Sequence, residues 1–145
     1  MQRIRVLVVD DSIVFRELLV QNLSKDPAIQ IVGTAKDPFE ARDKILECKP
    51  DVMTLDIELP RMNGIEFLRK LMPQYPLRVV VISSLSDKVF DAMQAGAVDF
   101  VAKPSVSNRV QLEEFVKNEL LVKIKIASTA KIGSIKKKVM EQTEN

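Results

Sequence analysis

Short apolar runs alternate with amphipathic stretches along most of this chain. Residues 4–9, 30–35, 52–55, 79–82 and 98–102 predict five strands. Several are apolar at consecutive positions, as in Val6, Leu7, Val8 and Val9. That pattern suits parallel strands covered by helices on both faces. Between them, residues 14–23, 38–47, 65–72, 88–95 and 112–126 predict helices. Val14, Leu18, Leu19 and Leu23 recur at helical spacing, as do Ile65, Leu68 and Met72, and Leu112, Phe115, Val116, Leu120 and Ile124. Asp37 followed by Pro38 and Glu40, and Asn108 followed by Gln111, have the spacing of helix N-caps and capping boxes. Gly96 is placed to end a helix in the left-handed conformation.

Five βα units in succession predict an α/β fold, a doubly wound five-stranded parallel sheet. Right-handed crossovers leave few arrangements, and the flavodoxin-like order 2-1-3-4-5 is the first choice among them. The periodicity fades after Ala127. Residues 1–127 are therefore expected to form the domain, and the polar, lysine-rich residues 128–145 a linker or tail.

Composition narrows the function classes. The 145 residues are 46% hydrophobic and 29% charged, a globular balance. The net charge of +2 gives no field that argues for nucleic acid. The chain contains no histidine, so no imidazole base or ligand can come from it. Its single cysteine, Cys48, cannot form an internal disulfide and reads as a buried, inert thiol. No apolar run is long enough to span a bilayer and no signal peptide is visible. The expectation is a cytoplasmic protein with no nucleic-acid partner and no membrane insertion.

The candidate chemistry lies where strands end. Asp10 and Asp11 follow the first, Asp56 the third, Ser83 and Ser84 the fourth, and Lys103 with Pro104 the fifth. In an open α/β sheet these ends face the crevice where ligands bind. Neighbouring carboxylates repel one another, and a hard cation relieves that repulsion. Mg²⁺ suits a few carboxylates plus a phosphate. A carboxylate beside it can accept a phosphoryl group, with Lys103 neutralising phosphoryl oxygens and Ser83 bonding one in the product. Taken singly, each residue has a plainer reading, as a turn, a cap or a surface group. Their convergence on one crevice carries the functional reading.

The runs VLVVDDS (6–12), DVMTLDIELPRMNGIEFL (51–68), the pair Ser83 and Ser84, and GAVDFVAKP (96–104) resemble the response-regulator receiver family. The resemblance covers about residues 3–126. It implies Asp56 as phosphoacceptor, and Mg²⁺ held by Asp10, Asp11, Asp56 and the backbone carbonyl of Glu58. It further implies Ser83 as switch hydroxyl, Lys103 as phosphate partner, Phe100 as an aromatic that turns inward on activation, and a cis bond before Pro104. DIELPRMNGIEFL, ISSLS and ELLVKIKIAS narrow the resemblance to the N-terminal receiver of the chemotaxis protein-glutamate methylesterases. That implies a sensor histidine kinase as phosphodonor, an esterase output domain outside this chain, and chemoreceptors as further partners.

Two features depart from that pattern: a shortened segment between Ser84 and Phe100, and Asn63 where an aspartate is common. A stand-alone receiver, or the receiver of a transcription factor, is the alternative within the family. A flavin binder is disfavoured, because Asp10 and Asp11 stand where a phosphate loop would lie. A haloacid-dehalogenase-like phosphatase is disfavoured by the missing D-x-D-x-T pattern. A receiver that never takes phosphate is disfavoured because every position of the constellation is filled.

Overall fold

Side chains at alternate positions of the central strands feed two separate apolar layers, and this places the sheet between helices. The computed structural model describes residues 2–59, 63–84, 86–105 and 108–130. In chain order the elements are β1 (Ile4–Val9), α1 (Ile13–Leu23), β2 (Ile29–Ala35), α2 (Pro38–Cys48), β3 (Val52–Asp56), α3 (Gly64–Leu71) and β4 (Arg78–Ser83). A 3₁₀ turn (Ser86–Lys88), α4 (Val89–Gln94), β5 (Asp99–Ala102), α5 (Arg109–Phe115), a π turn (Val116–Leu120) and α6 (Leu121–Ser128) complete it. The sheet is parallel with order β2-β1-β3-β4-β5, as expected.

One layer joins Leu7, Val9, Met53, Leu55, Val79 and Val81 to Ala41 and Ile45 of α2, Leu68 of α3 and Ala92 of α4. The other joins Val6, Val8, Val52, Val80 and Ile82 to Phe15, Leu19 and Leu23 of α1 and to Leu112, Phe115, Leu120 and Ile124. Most of these side chains are fully buried. Burial of each is worth about 1.5–3 kcal/mol, so the layers supply the main drive for folding. Thr54 lies in the middle of β3 with a buried hydroxyl that has no hydrogen-bond partner among the described residues.

Local chemistry sets the element ends. Asp37, Asn63 and Asn108 each accept a hydrogen bond from the backbone N–H three residues on. Asn63 is thus a helix cap in its own right. Gly64 must be glycine, because a Cβ there would stand 2.6 Å from the Ile57 Cα. Gly96 has φ +117°, a left-handed conformation that ends the α4 segment.

Some expectations change. Of the α1 stripe, Phe15, Leu19 and Leu23 are buried while Val14 is 68% exposed, because the helix begins at Ile13 and turns Phe15 inward. The fourth helix is short, six residues after a 3₁₀ turn, which matches the shortened segment. The last helix begins at Arg109, directly after the expected cap Asn108 and ahead of the apolar stripe that starts at Leu112, and is interrupted by the π turn. Cys48 is half-buried, not fully buried. It ends α2, where its Sγ donates to the Val32 carbonyl at 3.2 Å. The helix continues through Ser128, and Arg78 Nε donates to the Ala130 carbonyl at 2.7 Å. The rest of the expected tail lies outside the described residues.

Candidate functional site

The ends of β1 and β3 are adjacent in the sheet, so Asp10 and Asp56 are brought side by side. Both are buried, with 1% exposure each, while Asp11 is exposed at the mouth. Asp10, Asp11 and Asp56 each offer an oxygen within 4.8 Å of the others. Lys103 follows β5 and crosses the crevice. Its Nζ lies 3.1 Å from Asp56 Oδ2 and 3.4 Å from Asp10 Oδ2. The Lys103 N–H donates to the Ser83 carbonyl at 2.9 Å, which anchors the strand ends to each other. The ammonium also stands 4.4 Å from the centroid of the Phe15 ring, a cation–π contact.

Backbone donors orient the acids. The Ser12 N–H donates to Asp10 Oδ1 at 2.8 Å, and the Glu58 N–H to Asp56 Oδ1 at 2.9 Å. Arg16 Nη1 donates to the Asp10 carbonyl at 2.7 Å. Ser12 itself caps α1, its Oγ accepting from the Phe15 N–H. Burial pushes the Asp10 carboxyl up to about 6, against the Ser12 bond and with help from Asp56. For Lys103, burial works against the charge, but Asp56 and then Asp10 outweigh it and hold the ammonium above the ordinary lysine range.

A second polar cluster borders the first. Glu58, exposed two residues beyond Asp56, reaches across to the end of β4. Its Oε1 accepts from Ser83 Oγ at 3.1 Å, Ser84 N–H at 3.0 Å and Ser84 Oγ at 2.7 Å. The Ser84 hydroxyl above all, then that of Ser83, holds the Glu58 carboxyl below the usual carboxylate range.

Buried acids that share one ammonium form a site poised for a divalent cation. The donor set is all oxygen, and the three carboxylates are close enough to meet one ion, so it fits Mg²⁺.

Comparison with known proteins agrees with this geometry. The response regulator receiver domain family matches residues 6–117. The chain belongs to the response regulator receiver family. A protein-glutamate methylesterase/protein-glutamine glutaminase from Syntrophomonas wolfei is 61% identical over 133 residues, which are 92% of this chain and 39% of the relative. The receiver thus spans well under half the length of that relative. The response regulator domain of Thermotoga maritima CheB is 43% identical with a TM-score of 0.81, covering 90% of this chain and 99% of that one. A chain of the CheX–CheY–BeF₃–Mg²⁺ complex from Borrelia burgdorferi is 32% identical with a TM-score of 0.66, covering 82% and 90%.

In this receiver Asp10, Asp11, Asp56 and Lys103 meet in one crevice, with Ser83 on its β4 side. Phe100 lies on β5, half-buried against the layer beneath α2, α3 and α4. The expected cis bond before Pro104 is corrected: among the described residues no peptide bond is cis. The trans form is the intrinsically favoured one. With it, Lys103 already reaches both carboxylates. Sequence reasoning missed three contributors. Phe15 sits beneath the ammonium, Arg16 holds the Asp10 carbonyl, and the Glu58 side chain gathers the serine pair. The apolar stripe read from the sequence placed Val14, not Phe15, on the buried face of α1, so neither Phe15 nor Arg16 was readable in advance. The reach of Glu58 to β4 depends on which strand lies beside β3.

Proposed function

We propose that this receiver is a Mg²⁺-dependent aspartate switch in which Asp56 accepts a phosphoryl group and the modified domain controls a protein-glutamate methylesterase output domain. The observation that carries the reading is the meeting of Asp10, Asp11, Asp56 and Lys103 at adjacent strand ends. The cation would be held by Asp10, Asp11, Asp56 and the Glu58 main-chain carbonyl. When bound, Mg²⁺ neutralises charge on the transferring phosphoryl group.

The residues of the chain account for the remaining steps. An Asp56 carboxylate oxygen attacks phosphorus, an O–P bond forms, and the bond from phosphorus to the donor breaks with its electron pair leaving on the donor. The donor is the phosphohistidine of a sensor kinase or a small acyl phosphate, since this chain has no histidine of its own. Lys103, already beside Asp56, pairs with a phosphoryl oxygen. Ser83 then donates to another, and Phe100 follows it inward, so the face formed by α4, β5 and α5 changes its preferred partner. The 61% identity to a protein-glutamate methylesterase/protein-glutamine glutaminase supports the output reading. The working compartment is the cytoplasm, where such a kinase and the chemoreceptors would meet it.

Intact mass after incubation with acetyl phosphate, with and without Mg²⁺, tests the switch. Wild type should gain one phosphoryl mass only with Mg²⁺, and Asp56→Asn should gain none. Labelling of Asp56→Asn equal to wild type would remove Asp56 from the role. Methyl-ester hydrolysis by the parent protein, with and without phosphodonor, tests the output.

A further inference from the structure

We propose that the Glu58 side chain is the resting-state acceptor for the Ser83 and Ser84 hydroxyls, a positioning residue that holds the switch off until they are released. The inference rests on the phosphoacceptor reading above and concerns its regulation. Glu58 Oε1 alone receives three donors, from Ser83 Oγ, Ser84 N–H and Ser84 Oγ, at 3.1, 3.0 and 2.7 Å. Hydrogen bonds to an ionised acceptor are the stronger kind. Ser83 is fully buried, and leaving a buried hydroxyl without a partner costs free energy.

A serine hydroxyl has one proton to donate. Ser83 can donate it to Glu58 or to a phosphoryl oxygen on Asp56, and not to both. Conversion therefore has to break the Ser83–Glu58 bond. Ser84 holds the same carboxylate oxygen by its hydroxyl and its main-chain N–H, and so keeps Glu58 in place to compete. The end of β4 is thus tied to the loop after β3 in the resting state, and the strength of that tie sets how much phosphoryl contact the switch needs.

The experiment is titration of the described domain with beryllofluoride at saturating Mg²⁺, followed by the amide resonances of Ser84 and Lys103. Glu58→Ala should lower the concentration for half-conversion about fivefold, the size expected for losing hydrogen bonds to a largely exposed carboxylate. Ser84→Ala, which alters no charge near the cation site, should lower it by about two- to threefold. Glu58→Gln keeps an acceptor oxygen and should lie nearer wild type than Glu58→Ala does. Glu58→Gln equal to Glu58→Ala, with Ser84→Ala unchanged from wild type, would show a charge effect alone and overturn the proposal. Normal conversion of wild type, with all three variants within twofold of it, would overturn the proposal and leave the phosphoacceptor reading standing. Failure of wild type itself to convert would overturn both.

Discussion

Two polar clusters share the carboxyl end of the sheet, and they are built on opposite terms. Asp10, Asp56 and Lys103 are charged, mostly out of water, and fixed by backbone donors from the following loops. Glu58 and Ser84 are exposed, and their link with Ser83 consists of side-chain bonds plus one N–H. Removing water from the first cluster raises the cost of every unpaired charge and the value of every correct partner. Leaving Glu58 and Ser84 in water makes their bonds to each other cheap to break and re-form. A switch needs both kinds of region. A rigid, strongly charged centre recognises the phosphoryl group, and a weak rim can exchange partners when the group arrives.

The largest expected effect breaks the buried cluster. Lys103→Ala leaves two buried carboxylates without their ammonium. In chelator at neutral pH it should cost about 3 kcal/mol of stability, toward the low end for a broken buried pair because the lysine side chain is 21% exposed. Urea unfolding measures this. Mg²⁺ should return part of the loss, since a cation among the carboxylates replaces the missing charge. A loss under about 1 kcal/mol would place the cluster with ordinary surface pairs.

The next effect is a matter of sign. Asp10 has a folded-state pKa of about 6, above its unfolded value of about 3.9. The folded state therefore binds the proton more tightly. The contribution of this group to stability falls as pH rises from about 4 to about 6 and is level above that window. Asp56, Asp11, Lys103 and Arg16 are the charged groups that face or border it. In chelator, the Asp10 carboxyl carbon should titrate near pH 6 by NMR, and a midpoint in the ordinary aspartate range would contradict the burial argument.

The smallest effect provides a control for the comparison. Thr54 is as buried as Asp10 but has no hydrogen-bond partner among the described residues and is not one of the groups that meet in the crevice. Thr54→Val replaces an unsatisfied hydroxyl with a methyl of similar size and should stabilise the fold by about 1 kcal/mol. Thermal unfolding reads the change, and Asp56 labelling should be unaffected. Destabilisation would mean that the hydroxyl has a partner after all.

Much of this was legible in the residue pattern because the signals are local. Consecutive apolar residues in β1, β3 and β4 predicted strands covered on both faces, and the caps at Asp37 and Asn108 sit where their spacing placed them. The acids, the serine pair and the lysine were readable because strand ends are marked by the switch from apolar to polar residues. Where the prediction failed, the deciding force was not local. Val14 reads as part of an apolar stripe, but the packing phase of α1 turns Phe15 inward instead. The π turn at Val116–Leu120 interrupts an apolar periodicity that reads as continuous helix, so the pattern gave no sign of it.

By itself, then, the sequence determined the five βα units, the two apolar layers and the identity of the chemical groups at the strand ends, since each depends on residue type and short-range spacing. Tertiary structure alone decided which of those groups touch. Lys103 is 93 residues from Asp10 and 47 from Asp56 along the chain, and only the pairing of β5 alongside β4 brings its ammonium to both. Glu58 was expected to matter through its backbone. Ser83 lies 25 positions further along the chain, and the stretch between carries no local signal of a contact that exists because β3 and β4 are neighbours in the sheet.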